Sequence, residues 1–295
     1  MIHALATTYS VVELCAVLEV SRSGYYAWRN GGRGNRAKAN GELAEHIREI
    51  HQKSRGVYGA PRITRELHAR GYRCGHNRVA RIMRACGLKG AKKAGFRPRT
   101  TQSNHDQPIS PNRLGEGLVI SGPNQVWVTD ITYIPTREGW AYLSAFMDLG
   151  TRAIKGWALR DSLKTALVSD AFLQAVSRYR PADHLIVHSD RGCQYASREF
   201  RQHLVAHKAL GSMSRKGNCY DNAAMESFWA TLKAEMPITR PFETKEQARL
   251  ALFDYIETFY NRNRLHSSIG YRSPLDVEAQ LDSKNNPTPL SEKTG

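Results

Sequence analysis

Val126-Trp127-Val128-Thr129-Asp130-Ile131-Thr132 is an apolar, β-branched run interrupted by one carboxylate. Such residues favour the pleated, half-buried surface of a strand. A charge inside that strand is costly unless it is paired or metal-bound. An arginine partner and a metal ion are therefore the two readings for Asp130. A second run, Leu185-Ile186-Val187-His188-Ser189-Asp190, ends in a carboxylate just before Arg191-Gly192. Ligand sites favour the carboxyl ends of sheet strands; the plainer reading of Asp190 is a turn or helix-cap aspartate. A third carboxylate, Glu226, lies in the helical stretch Asn222-Ala223-Ala224-Met225-Glu226-Ser227-Phe228-Trp229. Two strand-borne aspartates and a helix-borne glutamate can meet only through the fold. Their meeting concentrates negative charge, which is unfavourable unless cations fill it. Oxygen ligands suit Mg²⁺, with Mn²⁺ as a substitute. Two such ions, roughly 3.5–4 Å apart, can activate a nucleophile and stabilise the leaving oxygen of a phosphodiester.

An acidic pocket stands out because the chain is basic. Its 295 residues hold 43 Lys+Arg against 27 Asp+Glu, a net charge of +16. The surplus is concentrated. From Leu67 to His105 there is no acidic residue, while Arg70, Arg73, Arg78, Arg81, Arg84, Lys89, Lys92, Lys93, Arg97 and Arg99 all fall there. A solvated face usually mixes signs; a single sign points to phosphate binding. No run approaches the ~18 apolar residues of a membrane-spanning helix. The N-terminus lacks the order of a signal peptide, so an intracellular protein is expected. The five cysteines are widely spaced, without a Cys-x-x-Cys pair, which argues against a disulfide framework or zinc ribbon. His184 and His188 flank an apolar strand and read as ordinary polar residues at its end.

Helical periodicity opens the chain. Val11, Leu14, Cys15 and Leu18 share a face, and Ser21 can cap the next helix. Residues 31–38, rich in Gly, Asn and Arg, have linker composition. A helix then carries Leu43, Ile47 and Ile50. Pro61 can open the following helix, and Gly71 and Gly75 mark a turn. Asn77 can cap a helix with Val79, Ile82, Met83 and Cys86 on one face and Arg78, Arg81 and Arg84 on the other. A short helix pair with a basic second helix matches a helix-turn-helix, whose second helix enters a DNA groove. Beyond a Pro-rich stretch the periodicity changes. Strands are expected at 125–134, 139–147, 153–159, 185–187 and 210–213, with helices at 164–179, 197–207, 223–236 and 245–260. The order βββαβαβαα predicts a mixed sheet with helices on both faces. The expected organisation is an N-terminal helical region (1–55), a helix-turn-helix-like DNA-binding region (56–100), a linker (101–122), an α/β core (123–281) and a disordered polar tail (282–295).

Around the third carboxylate, Asn222, Glu226, Trp229 and Lys233 are spaced 4, 3 and 4, one helical face. Lys233 reads either as a phosphate contact or as a plain surface residue. The preceding loop, with Arg215 and Lys216, is basic and reads either as a cover over DNA or as a surface loop.

The motifs Trp127-x-x-Asp130-x-Thr132-Tyr133, His188-Ser189-Asp190-x-Gly192-x-Gln194-Tyr195, Asp221-Asn222-Ala223-x-x-Glu226-Ser227-Phe228-x-x-x-Leu232-Lys233 and Tyr260-Asn261-x-x-Arg264-x-His266-Ser267-Ser268-Ile269-Gly270-Tyr271-x-Ser273-Pro274 resemble the integrase-type transposases of bacterial insertion sequences. The nearest likeness is to the second-reading-frame product of the third insertion-sequence family. It extends from residue 10 to about 280 and includes Gly56-Val57-Tyr58-Gly59-Ala60-Pro61-Arg62-Ile63. The resemblance implies a ribonuclease-H-like catalytic core of the retroviral-integrase type, a triad on Asp130, Asp190 and Glu226, Mg²⁺ dependence, and a basic residue at Lys233. It also implies double-stranded DNA partners, element ends and target alike, and at least a dimer when two ends are brought together. In that family an upstream frame is commonly fused by frameshifting and adds a helix-turn-helix and leucine zipper. This chain begins with its own Met and has no long heptad run. The upstream product is thus a further expected partner in recognising the ends. A nuclease that hydrolyses without joining, and a DNA-binding regulator with a structural acidic site, are the competing readings.

Overall fold

The computed structural model describes residues 1–30, 32–91, 107–115, 118–215, 222–236 and 240–285. The chain divides into two compact units, Met1–Gly90 and Ala91–Gly295.

The first unit is all helical: α1 (Ile2–Leu5), α2 (Val11–Val17), α3 (Arg22–Arg29), α4 (Gly32–Lys53), α5 (Ala60–Ala69) and α6 (His76–Ala85). Ser10 closes a capping box with Glu13 on α2, and the Ser21 hydroxyl accepts from the Gly24 amide on α3. The linker expected at 31–38 is instead largely the first turns of α4. Gly32 and Gly34 weaken helix propensity there. The helix is held further along, where Leu43, Ile47 and Ile50 are buried and α4 packs on α5 and α6. Leu67 and Ile63 of α5 and Val79, Ile82 and Met83 of α6 complete that core. Gly75, not Asn77, occupies the N-cap of α6, and Asn77 lies within the first helical turn.

The second unit is built on one sheet of five strands: β1 (Val126–Thr136), β2 (Gly139–Asp148), β3 (Ile154–Arg160), β4 (Ile186–Ser189) and β5 (Leu210–Met213). Their order across the sheet is β3-β2-β1-β4-β5. β1, β2 and β3 are antiparallel neighbours, whereas β4 and β5 run parallel to β1. This is the ribonuclease-H-like arrangement that the resemblance implies. Between β3 and β4 comes α7 (Thr165–Tyr179), and between β4 and β5 come α8 (Cys193–Ala196) and α9 (Arg198–Ala206). Trp127, Phe146, Phe172, Tyr195 and Phe200 form a buried cluster with apolar residues of α7, α8 and α9. α7 approaches β3 so closely that a Cβ on Gly156 would lie 2.3 Å from the Ala171 carbonyl oxygen; only glycine leaves that space.

β1 alternates. Trp127 and Thr129 face the α7–α9 cluster: Trp127 is in it, and the Thr129 hydroxyl bonds the Tyr195 phenol at 3.1 Å. Asp130 points the other way, to α10 (Ala223–Glu235), whose Trp229 reaches it. After α10 come α11 (Lys245–Phe253), a π-helical stretch Asp254–Tyr260, and α12 (Pro274–Asn285). The single helix expected at 245–260 is therefore α-helical only in its first half. α12 continues to Asn285, so the first residues of the tail expected to be disordered are helical; the rest of that tail lies outside the described residues.

The C-terminal motif is used to fasten these helices. Asn261 donates from Nδ2 to the Ile154 carbonyl at 3.0 Å and accepts from the Ile154 amide at 2.8 Å. Arg264 pairs with Glu235 through two hydrogen bonds of 2.7 and 2.6 Å, with both side chains about 5% exposed or less. Tyr255 donates its hydroxyl to the same carboxylate at 2.9 Å. Lys155, buried on β3, pairs with Glu278 of α12 and lies 4.1 Å from the centre of the Tyr179 ring. At the opposite edge of the sheet, the Arg113 amide donates to the Ser212 hydroxyl at 2.8 Å and its Nε to the Gly211 carbonyl at 3.2 Å. Part of the expected linker thus lies along β5. Among the described residues no helix is long and apolar enough to cross a membrane.

Candidate active site

The strand register brings the two aspartates together. Val126 lies opposite Ile186, Trp127 opposite Val187 and Val128 opposite His188. Continuing that step by two residues sets Asp130 beside Asp190, just past the end of β4. The end of β4 is held firmly. His188 is buried between two hydroxyls, with Nδ1 2.8 Å from Ser212 Oγ and Nε2 3.1 Å from Ser214 Oγ. The Ser214 amide donates to the Ser189 carbonyl at 2.9 Å, and Arg191 Nε to the Ser214 carbonyl at 2.8 Å. His188 is thus a structural residue, in keeping with the polar strand-end reading. Asp190 Oδ1 accepts from the Gly192 amide at 2.9 Å.

Asp130 is a strongly perturbed carboxylate. Burial, then the negative charge of Asp190, pushes its pKa up to about 7. The Ile131 amide and the Trp229 indole N–H oppose that rise, and Glu226 adds to it weakly. Burial, and after it the charges of the same two aspartates, drives the Tyr195 phenol well above its ordinary value. Among the described residues no arginine pairs with Asp130: its carboxylate accepts from a backbone amide and an indole. A buried carboxylate with raised proton affinity beside a second carboxylate is chemically suited to a cation. The donor set is all oxygen, which fits Mg²⁺ or Mn²⁺. As the side chains stand, no group of three His, Cys, Asp or Glu among the described residues is gathered tightly enough to hold a metal. Asp130 and Asp190 are neighbours, and Glu226 is exposed on α10 within electrostatic reach of Asp130.

This crowding makes a prediction about stability. The folded-state pKa of Asp130 lies above that of the unfolded chain, so the folded state holds the proton more tightly. Its penalty is therefore absent at low pH, grows as pH rises from about 4, and is complete above about 7. With divalent ions chelated, Asp130→Asn is expected to stabilise the protein at pH 8 by on the order of 2 kcal/mol. The gain fades towards pH 4.5. Urea unfolding at the two pH values measures it, and equal stability of variant and parent at pH 8 refutes the assignment.

The other expected site residues are dispersed. Lys233 is exposed, two turns beyond Glu226; partial desolvation lowers its pKa, while the charge of Asp130 acts to raise it. Asn222, expected at DNA, is instead buried: it is only 8% exposed and its Nδ2 donates to the Thr129 carbonyl at 3.3 Å. Arg81 and Arg84 are exposed on α6. Arg78 departs from that pattern, being half-buried with Nε donating to Asn40 Oδ1 of α4 at 2.8 Å. Arg215 is exposed after β5, and Lys216 lies outside the described residues. Sequence reasoning does not assign Trp229 a partner, although its i+3 spacing from Glu226 marks the shared face.

A sheet of this order, with paired aspartates where β1 and β4 meet and a glutamate on the helix laid over β1, defines an integrase-type core. Comparison with known proteins agrees. Two families described as "Integrase core domain" match residues 121–219 and 208–274, and one described as "HTH-like domain" matches residues 38–95. "Transposase InsF for insertion sequence IS3A" of Escherichia coli (strain K12) is 40% identical over 274 residues, covering 92% of this chain and 94% of that protein. "Insertion element IS600 uncharacterized 31 kDa protein" of Shigella sonnei is 41% identical over 261 residues, covering 88% and 96%. Among solved structures, a chain of the simian T-cell lymphotropic virus intasome in complex with PP2A regulatory subunit B56 gamma aligns with a TM-score of 0.45 and 16% identity, over 79% of this chain and 74% of that one. The chain belongs to the integrase-core transposases of insertion sequences.

Proposed function

We propose that this protein cuts DNA at the ends of an insertion sequence and joins the freed 3′-OH to a target phosphodiester. The pairing of Asp130 with Asp190 through the β1–β4 register, on a strongly basic chain, is the observation that carries this reading. Asp130, Asp190 and Glu226 would hold two divalent ions, Mg²⁺ or Mn²⁺. When bound, such ions activate the attacking oxygen and offset charge on the leaving one. The protein's own residues do the rest. Asp130 and Asp190 fix where positive charge gathers, at the ends of rigid strands. Glu226 supplies a third carboxylate from a helix, so small movements of α10 can complete the site. Lys233, about 10 Å from Glu226 along the axis, is too far to be a ligand and suits a flanking phosphate. Arg81 and Arg84 suit the phosphate backbone, on the exposed face of a helix whose other face is core. Bringing two ends together calls for at least two copies on DNA. Incubation of the protein with labelled element ends, a target duplex and Mg²⁺ tests the reading. Nicked ends and joined products are expected together; nicks without joining would make the protein a nuclease, and neither product would leave a DNA-binding regulator.

Two further outcomes follow. Lys233→Ala is expected to reduce joining by roughly tenfold, the effect of removing one charge-assisted hydrogen bond, while metal binding is spared. Lys233→Arg keeps most of the activity because binding a phosphate mainly needs positive charge. Near-wild-type joining by both variants would return Lys233 to the surface. Replacing Arg81 and Arg84 by alanine should flatten the slope of log affinity against log salt by about one for each phosphate that is no longer neutralised. An unchanged slope means that α6 does not touch the backbone of DNA.

A further inference from the structure

α10 is attached to β1 by two side chains that bracket Glu226. Asn222, four residues before it, donates to the Thr129 carbonyl at 3.3 Å; Trp229, three residues after it, donates from Nε1 to Asp130 Oδ2 at 3.0 Å. The two acceptors are consecutive residues of β1. Both donors are buried, with Asn222 8% and Trp229 6% exposed, and the indole packs against Phe228 at 4.8 Å between ring centres. Two anchors on one helical face, a turn to either side of Glu226, fix both the height and the rotation of α10 on the strand.

We propose that Trp229 is a positioning residue: its indole N–H holds the Asp130 carboxylate in the orientation that receives divalent cations and, with Asn222, sets the reach of Glu226. The proposal deepens the reading of the three carboxylates as the metal site and rests on it. Asp130 Oδ1 accepts from the Ile131 amide at 2.8 Å and Oδ2 from Trp229 at 3.0 Å. Among the described residues each oxygen thus has one donor, and a carboxylate has roughly four lone-pair sites in all, so each keeps room for a cation. Without the second donor, χ rotation could carry the carboxylate away from Asp190 and relieve their repulsion. An indole suits the task because it only donates and carries no charge. A lysine or arginine in its place would neutralise the carboxylate and repel the incoming ion. Partners that orient a ligand in this way typically affect metal affinity or activity by 10–100-fold.

The test compares the full-length protein with Trp229→Phe, which keeps an aromatic ring and loses the donor. A second variant carries benzothienylalanine at 229, in which sulfur replaces the N–H with little change of shape. Free Mn²⁺ is counted by electron paramagnetic resonance, thermal unfolding is recorded in parallel, and DNA joining is titrated with Mn²⁺. The expected result is a Mn²⁺ Kd raised at least about tenfold in both variants, with unfolding of the benzothienylalanine form close to wild type. Joining should recover at saturating Mn²⁺, since the ligands remain. Wild-type Mn²⁺ affinity in the benzothienylalanine form, when Asp130→Asn has lost it, overturns the role of Trp229 alone. Wild-type Mn²⁺ affinity in Asp130→Asn overturns the metal-site reading itself.

Discussion

Asp130→Asn, Asp190→Asn and Glu226→Gln are each expected to lower joining by about a thousandfold or more, while binding DNA as the parent does. Bound divalent ions contribute several kcal/mol of transition-state stabilisation, and each 1.4 kcal/mol is roughly tenfold in rate. The amides keep the shape but remove the charge that a hard cation requires. Affinity for DNA should survive because the proposed phosphate contacts, Arg81 and Arg84, belong to the helical unit and not to the carboxylate site. Single-turnover joining and filter binding on the same preparations separate the two properties. A triad variant that joins within a few-fold of wild type would remove that residue from the site. Such variants also offer a contrast with the unfolding measurements on Asp130→Asn: the change that stabilises the metal-free protein is the one that silences it, a conflict between stability and activity typical of functional sites.

Arg264→Ala is expected to give the largest loss of stability. It strands the Glu235 carboxylate, whose partners are the guanidinium and the Tyr255 hydroxyl, in a place where the ion-pair side chains are 4% and 5% exposed. Breaking a buried pair on one side costs about 3–5 kcal/mol, which for a domain of this size lowers Tm by on the order of 10 °C. The double change Arg264→Met with Glu235→Leu should recover much of that loss, since no unpaired charge remains buried. Differential scanning calorimetry on the three proteins decides it. A single variant melting within about 2 °C of the parent would show that the pair adds little. Because Glu235 ends α10, a loss of this size also predicts weaker placement of Glu226.

The five strands are legible in the sequence because β-branched and aromatic runs do not suit helices, and tight turns punctuate them. The paired aspartates are legible for a related reason: each is a lone charge at the end or middle of an apolar run. What is not legible is long-range. The partner of Trp229 is 99 residues away, and that of Asn261 is 107 away. Helical spacing can mark Trp229 as sharing a face with Glu226 but cannot name what that face meets. Asn222 illustrates the opposite error. A polar residue beside a candidate catalytic carboxylate suggests DNA, yet Asn222 is buried and its Nδ2 donates to a backbone carbonyl. Residues 31–38 mislead because glycine content speaks of local propensity, whereas α4 is held by packing further along it. α12 escapes a reading by pattern because its sequence is polar and weakly periodic. It is kept in place by particular interactions: the Lys155–Glu278 pair and the Ser273 hydroxyl, which accepts from the Asp276 amide at 3.2 Å.

Asn261 gives the sheet a false neighbour. By offering one donor and one acceptor to Ile154, a single primary amide imitates the main chain of a strand that is not there. β3 is an outer strand of the sheet, and an outer strand left bare is a template on which other chains can polymerise. Arg113 fills a comparable place beside β5. If two or more copies gather on one DNA molecule, as proposed above, closed edges let the copies meet through chosen surfaces and not through stray β-pairing. Cutting the chain before residue 261 would reopen one of those edges, and a catalytic fragment trimmed there should precipitate even with all three carboxylates present.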